Sequence, residues 1–162
     1  MQGAAHSRSC VRVALVTALL AIGAACGSTA PQPVPVENTA FADTLDVDLA
    51  RFTRLPDGLY VRDSVVGDGP ILSTGQTVEV RFTGHLASGR PIASRGAAQA
   101  PYGFVLGTGA VIAGWDAGIP GMRVGGVRRL VVPPALGYGS ADYGGVPGNS
   151  VLVFTIVAVT AR

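Results

Sequence analysis

Residues 101–140 read PYGFVLGTGAVIAGWDAGIPGMRVGGVRRLVVPPALGYGS, and the middle of this stretch decides the fold. In the run Val111 to Ile119, the residues Val111, Ile112, Trp115 and Ile119 recur at helical spacing. Gly114 and Gly118 inside the same run make it a poor isolated helix. Such a helix must be held from outside, by packing Trp115 and Ile119 against a sheet. The surroundings supply one. Val127 to Val132 is rich in β-formers, and Val151 to Val159 is apolar on both alternating faces, as a central strand requires.

Working outward, Leu59 to Val66 reads as a strand closed by the turn Gly67-Asp68-Gly69-Pro70. Val78, Val80 and Phe82 alternate with Glu79, Arg81 and Thr83, the period of a half-buried strand. Ser88-Gly89 reads as a hairpin turn. No internal repeat and no second domain is evident. The expected fold class is α+β, an antiparallel half-barrel sheet wrapped around one short helix.

The chain has 162 residues, room for one domain with a leader or tail. Hydrophobic residues make up 48%, enough for a packed core, and 23 Gly with 11 Pro favour a turn-rich chain. All 12 basic residues are Arg. Two of them, Arg8 and Arg12, fall in the leader, which leaves 12 − 2 = 10 basic against 10 acidic residues. A balance near zero excludes a basic stripe for nucleic acid.

Residues 1–26 read as an export signal. Arg8 and Arg12 precede an apolar run, Val13 to Ala25, that is shorter than the roughly 17–25 residues of a membrane-spanning helix. The run ends Ile22-Gly23-Ala24-Ala25-Cys26, which resembles a bacterial lipoprotein signal in which the Cys is lipidated; Gly23 stands where an aliphatic residue is usual. Cys26 is therefore the expected lipidation site, although plain cleavage after Ala25 by the ordinary signal peptidase suits the same residues; with Cys10 removed and Cys26 acylated no disulfide is expected. Residues 27–57 are expected to be a spacer and N-terminal extension. Pro31, Pro33 and Pro35 at alternate positions suit a semi-rigid spacer. Asn38 to Thr53 stays open between a short helical turn and a linker. Residues 58–162 are the expected folded domain. The localisation expected is the cell envelope, facing the periplasm or the exterior.

Several chemistries are missing. No glycine loop with a following Lys cradles phosphate, and no Gly-x-Ser-x-Gly elbow is present. His85 is the only His outside the leader, which excludes a zinc site of His and Cys pairs. Neither a metal nor a cofactor is expected. An enzyme built on this chain needs a reaction without a titratable nucleophile. Arg128-Arg129 reads as a solvated strand end.

From about Leu59 onward, the ordered segments resemble the FKBP family of peptidyl-prolyl isomerases. The motifs that carry the resemblance are Tyr102-Gly103-Phe104 with Leu106-Gly107, Val111-Ile112 with Gly114-Trp115, and Leu136-Gly137-Tyr138-Gly139. The resemblance implies a pocket between helix and sheet. Its catalytic residues would be Tyr138, Trp115, Phe82 and Phe154, with Ile92, Tyr102, Phe104, Val111 and Ile112 binding substrate. Trp115 would form the floor. The Ile112 backbone N–H and the Tyr138 hydroxyl would each donate to a carbonyl of a bound peptide. From pattern alone, Trp115 and Phe104 read as core residues.

Three positions depart from the family. Phe82 stands where a Tyr is usual, and Ile92-Ala93 where Phe-Asp is usual. The missing Asp implies weaker macrolide binding and leaves the size of the turnover open. The partners implied are proline-containing exported polypeptides and, through the N-terminal lipid, a membrane. A monomer is expected. The competing expectation is an FKBP-fold binding or chaperone-like module with weak turnover or none.

Overall fold

The computed structural model describes residues 32–162. The leader, Cys26 and the spacer up to Pro31 lie outside the described residues.

Seven strands form one sheet: β1 Thr53–Arg54, β2 Tyr60–Val65, β3 Thr77–Leu86, β4 Pro91–Arg95, β5 Tyr102–Val105, β6 Val127–Val132 and β7 Leu152–Ala161. The order is β1-β2-β6-β7-β3-β4, with β5 also paired to β3. Every pairing is antiparallel. β7 lies between β6 and β3, the central place that its two apolar faces predict. Ser88-Gly89 closes the β3–β4 hairpin, with Gly89 at φ 86° and the Leu86 N–H on the Arg90 carbonyl at 2.9 Å.

The helix α1, Ala113–Gly118, sits where the sequence predicts it. Trp115 and Ile119 are buried against the concave face of the sheet, with Leu130, Leu152, Phe154 and Ile156 in the same cluster. Helix propensity alone would not hold six residues with two glycines. Packing supplies part of the hold. Asp116 supplies more: its two carboxylate oxygens accept the Gly107 and Gly109 N–H groups, both at 2.8 Å. The loop that leads into Val111 and Ile112 is thereby tied to the helix it precedes.

The segment left open by its sequence has structure. Residues 36–51 make three 3₁₀ turns, Val36–Asn38, Asp43–Leu45 and Leu49–Arg51. They lie on the convex face. Val36 and Leu45 are buried there with Tyr60, Val131, Val151 and Val153, and Phe41 and Phe52 pack alongside. The Ala42 N–H also donates to the Ala87 carbonyl at 2.8 Å. The sheet therefore has a packed layer on each side.

That second layer corrects the reading of Arg128-Arg129. Neither is a solvated strand end. Successive residues of a strand point to opposite faces, and both faces here are covered. Arg128 is only 9% exposed. Its Nε and Nη2 donate to the two oxygens of Asp63, its cross-strand neighbour, at 2.6 and 2.9 Å. Its Nη1 donates to the Gly118 and Pro120 carbonyls at 2.8 and 3.0 Å. Arg129 points the other way and donates to the Leu45 and Asp46 carbonyls of the extension.

Candidate active site

A cavity of about 460 Å³ opens between the start of α1 and the concave face. Phe82, Ala93, Tyr102, Ala110, Val111, Ile112, Trp115, Tyr138, Tyr143 and Phe154 line it. Trp115, 4% exposed, is the hub of its aromatic wall. Phe82 meets the indole edge-on at 4.8 Å between centroids and Phe154 at 5.3 Å. Tyr102 meets Phe82 at 6.2 Å. Edge-to-face rings hold one another at fixed angles, so the wall is pre-shaped. The Trp115 Nε1–H is buried and has no acceptor among the described residues.

One backbone position makes this possible. A Cβ on Gly84 would stand 2.5 Å from Cε1 of Phe154. Only glycine lets that ring lie flat on β3.

The opposite wall is the loop after β6. Tyr138 is half-buried, and the ring of Tyr143 stacks on it at 4.8 Å with 13° between planes. Tyr143 is 64% exposed and forms the outer lip. It is held by a tight hairpin: Tyr143 and Val146 exchange both backbone bonds, at 2.9 and 2.8 Å, across Gly144 and Gly145. Both glycines have positive φ, 53° and 82°, as a two-residue hairpin of this kind requires. Arg90, from the β3–β4 hairpin, donates to the Gly145 carbonyl at 2.7 Å and pins the tip. The Asp142 carboxylate accepts the Gly148 N–H at 2.8 Å, and the Gly139 carbonyl the Asn149 N–H at 2.8 Å. A mobile loop could not hold a donor in place; this one is closed at its base and braced at its tip.

Burial raises the Tyr138 pKa above the ordinary tyrosine value, and the neighbouring Tyr143 and Tyr102 hydroxyls add to it. The group at the cavity wall is a neutral O–H donor. No cluster of His, Cys, Asp or Glu able to hold a metal occurs among the described residues. The cavity has neither a nucleophile nor an acid–base pair in its lining.

The structure gathers most of the residues singled out in the sequence. Phe82, Tyr102, Val111, Ile112, Trp115, Tyr138 and Phe154 share the lining. Two do not. Phe104 is 7% exposed and packs behind Trp115, 5.9 Å between centroids, as part of the core. Ile92 falls where the β3–β4 register shifts, between the pairs Gly84↔Ala93 and His85↔Pro91; it packs against the concave core cluster on the same side of Gly84 as the Phe154 ring, without reaching the lining. Ala110 and Tyr143 were missed. Tyr143 was findable: Gly144-Gly145 is a hairpin signal that returns the chain close behind Tyr138.

Comparison with known proteins agrees with this geometry. Residues 69–159 match the family described as FKBP-type peptidyl-prolyl cis-trans isomerase. The chain belongs to this family. It is 40% identical over 130 residues to FK506-binding protein 4 of Mycosarcoma maydis, covering 79% of this chain and 34% of that protein. Among solved structures, AtFKBP13 superposes with a TM-score of 0.64 at 36% identity, over 68% of this chain and 98% of that one. FkpA from Escherichia coli superposes with a TM-score of 0.64 at 31% identity, over 69% of this chain and 52% of that one. The chain spans between 20% and 34% of the length of the curated relatives it matches. Its aromatic cavity lies inside the segment shared with the FKBP-type isomerases.

Proposed function

We propose that this FKBP-type chain accelerates cis–trans rotation about X-Pro bonds of polypeptides bound in the aromatic cavity. The observation that carries the reading is the lining itself: a largely apolar, pre-shaped cavity whose side-chain polar groups are the Trp115 N–H and the hydroxyls of Tyr102, Tyr138 and Tyr143, with no carboxylate, His or Cys. Rotation about a peptide bond faces a barrier of about 18–20 kcal/mol because resonance stiffens the C–N bond. The twisted amide has lost that resonance and is less polar than the planar one. A water-poor cavity therefore favours it over the ground state, relative to water. The proline ring stacks over Trp115 between Phe82 and Phe154. The Tyr138 O–H and the Ile112 N–H hold carbonyls on either side of the bond. No proton is transferred and no covalent intermediate forms.

A second reading, a binding or chaperone-like module with weak turnover, draws support from the wall opposite Tyr138. Phe82 and Ala93 both line the cavity, and neither offers a hydrogen bond. A proline-limited refolding assay separates the two. The isomerase reading requires micromolar protein to accelerate the slow phase. Protein that binds unfolded chains without changing that phase would replace it with the binding module.

The substrates are exported polypeptides, and the chain works as a monomer held to a membrane of the cell envelope by lipid on Cys26. The apolar run before Cys26 and the proline spacer after it support this. Among the described residues no helix is long and apolar enough to cross a membrane. Mass spectrometry of the membrane-extracted protein should show an acylated Cys26 as the first residue. An unmodified Cys26 overturns the anchor and leaves the isomerase reading standing.

A further inference from the structure

A second cavity, of about 560 Å³, opens at the edge of the sheet, away from the aromatic one. β1 pairs only with Tyr60 and Val61, so β2 has a free edge from Arg62 onward. Arg51, Arg62, Asp63 and Arg128 line the cavity with the end of α1. Its charges do not balance. Asp63 is the only carboxylate in the lining, and Arg128 takes both of its oxygens. Arg51 and Arg62 have no carboxylate within ion-pair distance among the described residues.

Arg62 is further strained by its place in the sheet. It stands directly opposite Arg129 in the β2–β6 register. Like charges opposite one another destabilise a sheet. Both guanidinium carbons lie 5.9 Å from the Phe52 ring, which they share. Arg129 donates through Nη1 and Nη2 to the Asp46 and Leu45 carbonyls, while its Nε is buried without a partner among the described residues. The Nη1 of Arg62 is buried without a partner among the described residues. Burial lowers the Arg129 pKa, and the charges of Arg62 and Arg51 lower it further, so each of the two lies near enough to act on Arg129.

We propose that Arg62 and Arg51 form a binding site for a phosphate-type oxyanion at this free edge, separate from the isomerase cavity. Two unpaired guanidinium forks are the complement of a phosphoryl group, which brings close to two negative charges and several acceptor oxygens. The cavity is larger than one phosphate and has room for the group that bears it. Free phosphate offers these charges and oxygens in full; the phosphodiester headgroup of an anionic phospholipid offers one charge and the same acceptor oxygens. Both lie outside the proposed isomerase reaction, so the site stands or falls independently of it.

Thermal unfolding of the full chain tests it, in phosphate-free buffer at fixed ionic strength, with inorganic phosphate replacing chloride. Co-sedimentation with phosphatidylglycerol vesicles, against phosphatidylcholine vesicles, forms the second arm. Phosphate should raise Tm saturably. Arg62→Gln should weaken the apparent phosphate affinity about tenfold or more, the loss of one charge-assisted contact. Arg95→Gln removes the same charge elsewhere and should keep the response. In phosphate-free buffer Arg62→Gln should unfold no lower than the parent, because a like-charge pair is relieved. Selective sedimentation with phosphatidylglycerol that Arg62→Gln abolishes makes the headgroup the source; a Tm response without it makes free phosphate the source. The site is overturned if phosphate does no more than chloride and neither vesicle discriminates, or if Arg62→Gln responds as the parent does. Arg51→Gln carries the same test should Arg62→Gln fail to fold.

Discussion

The two faces of one sheet have been put to opposite uses. The concave face collects aromatic rings around Trp115 and leaves a cavity among them. The convex face collects aliphatic residues under Val36 and Leu45 and closes over them. Their polar groups differ in the same sense. On the convex side Glu37 receives Arg54 and Tyr60, and Arg129 serves two carbonyls of the extension. On the concave side the Trp115 N–H is buried without an acceptor and Tyr138 keeps its proton. The convex face spends most of its donors on the extension, although the Arg129 Nε and the Arg62 Nη1 stay buried without a partner among the described residues. The concave face leaves the Trp115 N–H and the Tyr138 hydroxyl for a guest.

Two truncations break this comparison with the largest effects. Trp115→Ala removes the hub of the concave face and should cost about 3–5 kcal/mol of stability, the range for a buried large aromatic. Chemical denaturation reads that loss, and the refolding assay should show turnover gone with it. Leu45→Ala opens the convex layer at a residue 9% exposed. It should cost about 2–3 kcal/mol and leave turnover per folded molecule unchanged. Equal loss of turnover in both variants would mean that the faces are not independent.

The sequence showed the concave face far better than the convex one. Trp115 and Ile119 fall on one side of a helical period, and β7 is apolar on both faces, so helix and central strand were legible directly. The cavity residues followed from family motifs whose spacing is fixed by that same fold. The extension has no such period. Its 3₁₀ turns are three residues each, too short for periodicity to register, and its apolar residues make sense only once the convex face is known to need a cover. The same ignorance misplaced Arg128-Arg129, since nothing local says that Asp63, far back in the chain, stands across the ladder. Phe104 and Ile92 stand outside the lining for a related reason: a motif names a neighbourhood, and both side chains pack into the core beside the cavity, Phe104 against Trp115 and Ile92 beside Phe154.

A smaller change sharpens the concave side. Tyr138→Phe keeps the ring, its stacking on Tyr143 and the apolar wall, and deletes one donor. A neutral hydrogen bond is worth about 0.5–1.5 kcal/mol, so turnover should fall about threefold to tenfold with little loss of stability. The raised pKa of Tyr138 adds a pH signature. Its hydroxyl stays a donor beyond the ordinary tyrosine pKa of about 10, so turnover should hold level through neutral and mildly alkaline pH. The stability tied to the raised pKa is fully present below that ordinary value and is lost as pH rises through the folded one. A turnover that already falls between pH 8 and 9 in step with a titrating group would remove Tyr138 from the donor role.

The smallest effect tests the convex side by acid. Hydrogen bonds lower the Glu37 pKa, first from its own backbone and then from Tyr60 and Arg54. A depressed carboxylate contributes stability above its unfolded value, about 4.3, and loses it as pH falls through the folded one. Glu37 is exposed, so the contribution is modest and weakens with salt. Glu37→Gln should therefore lower Tm slightly near neutral pH, and the two Tm curves should converge in acid. The loosening should reach residues 36–45 before the strands, because Glu37 ties the first 3₁₀ turn to β1 and β2. Hydrogen exchange at low pH resolves that order. A gap between the curves that stays constant down to pH 3 would mean that the ion pair is incidental and that Val36 and Leu45 alone hold the extension down.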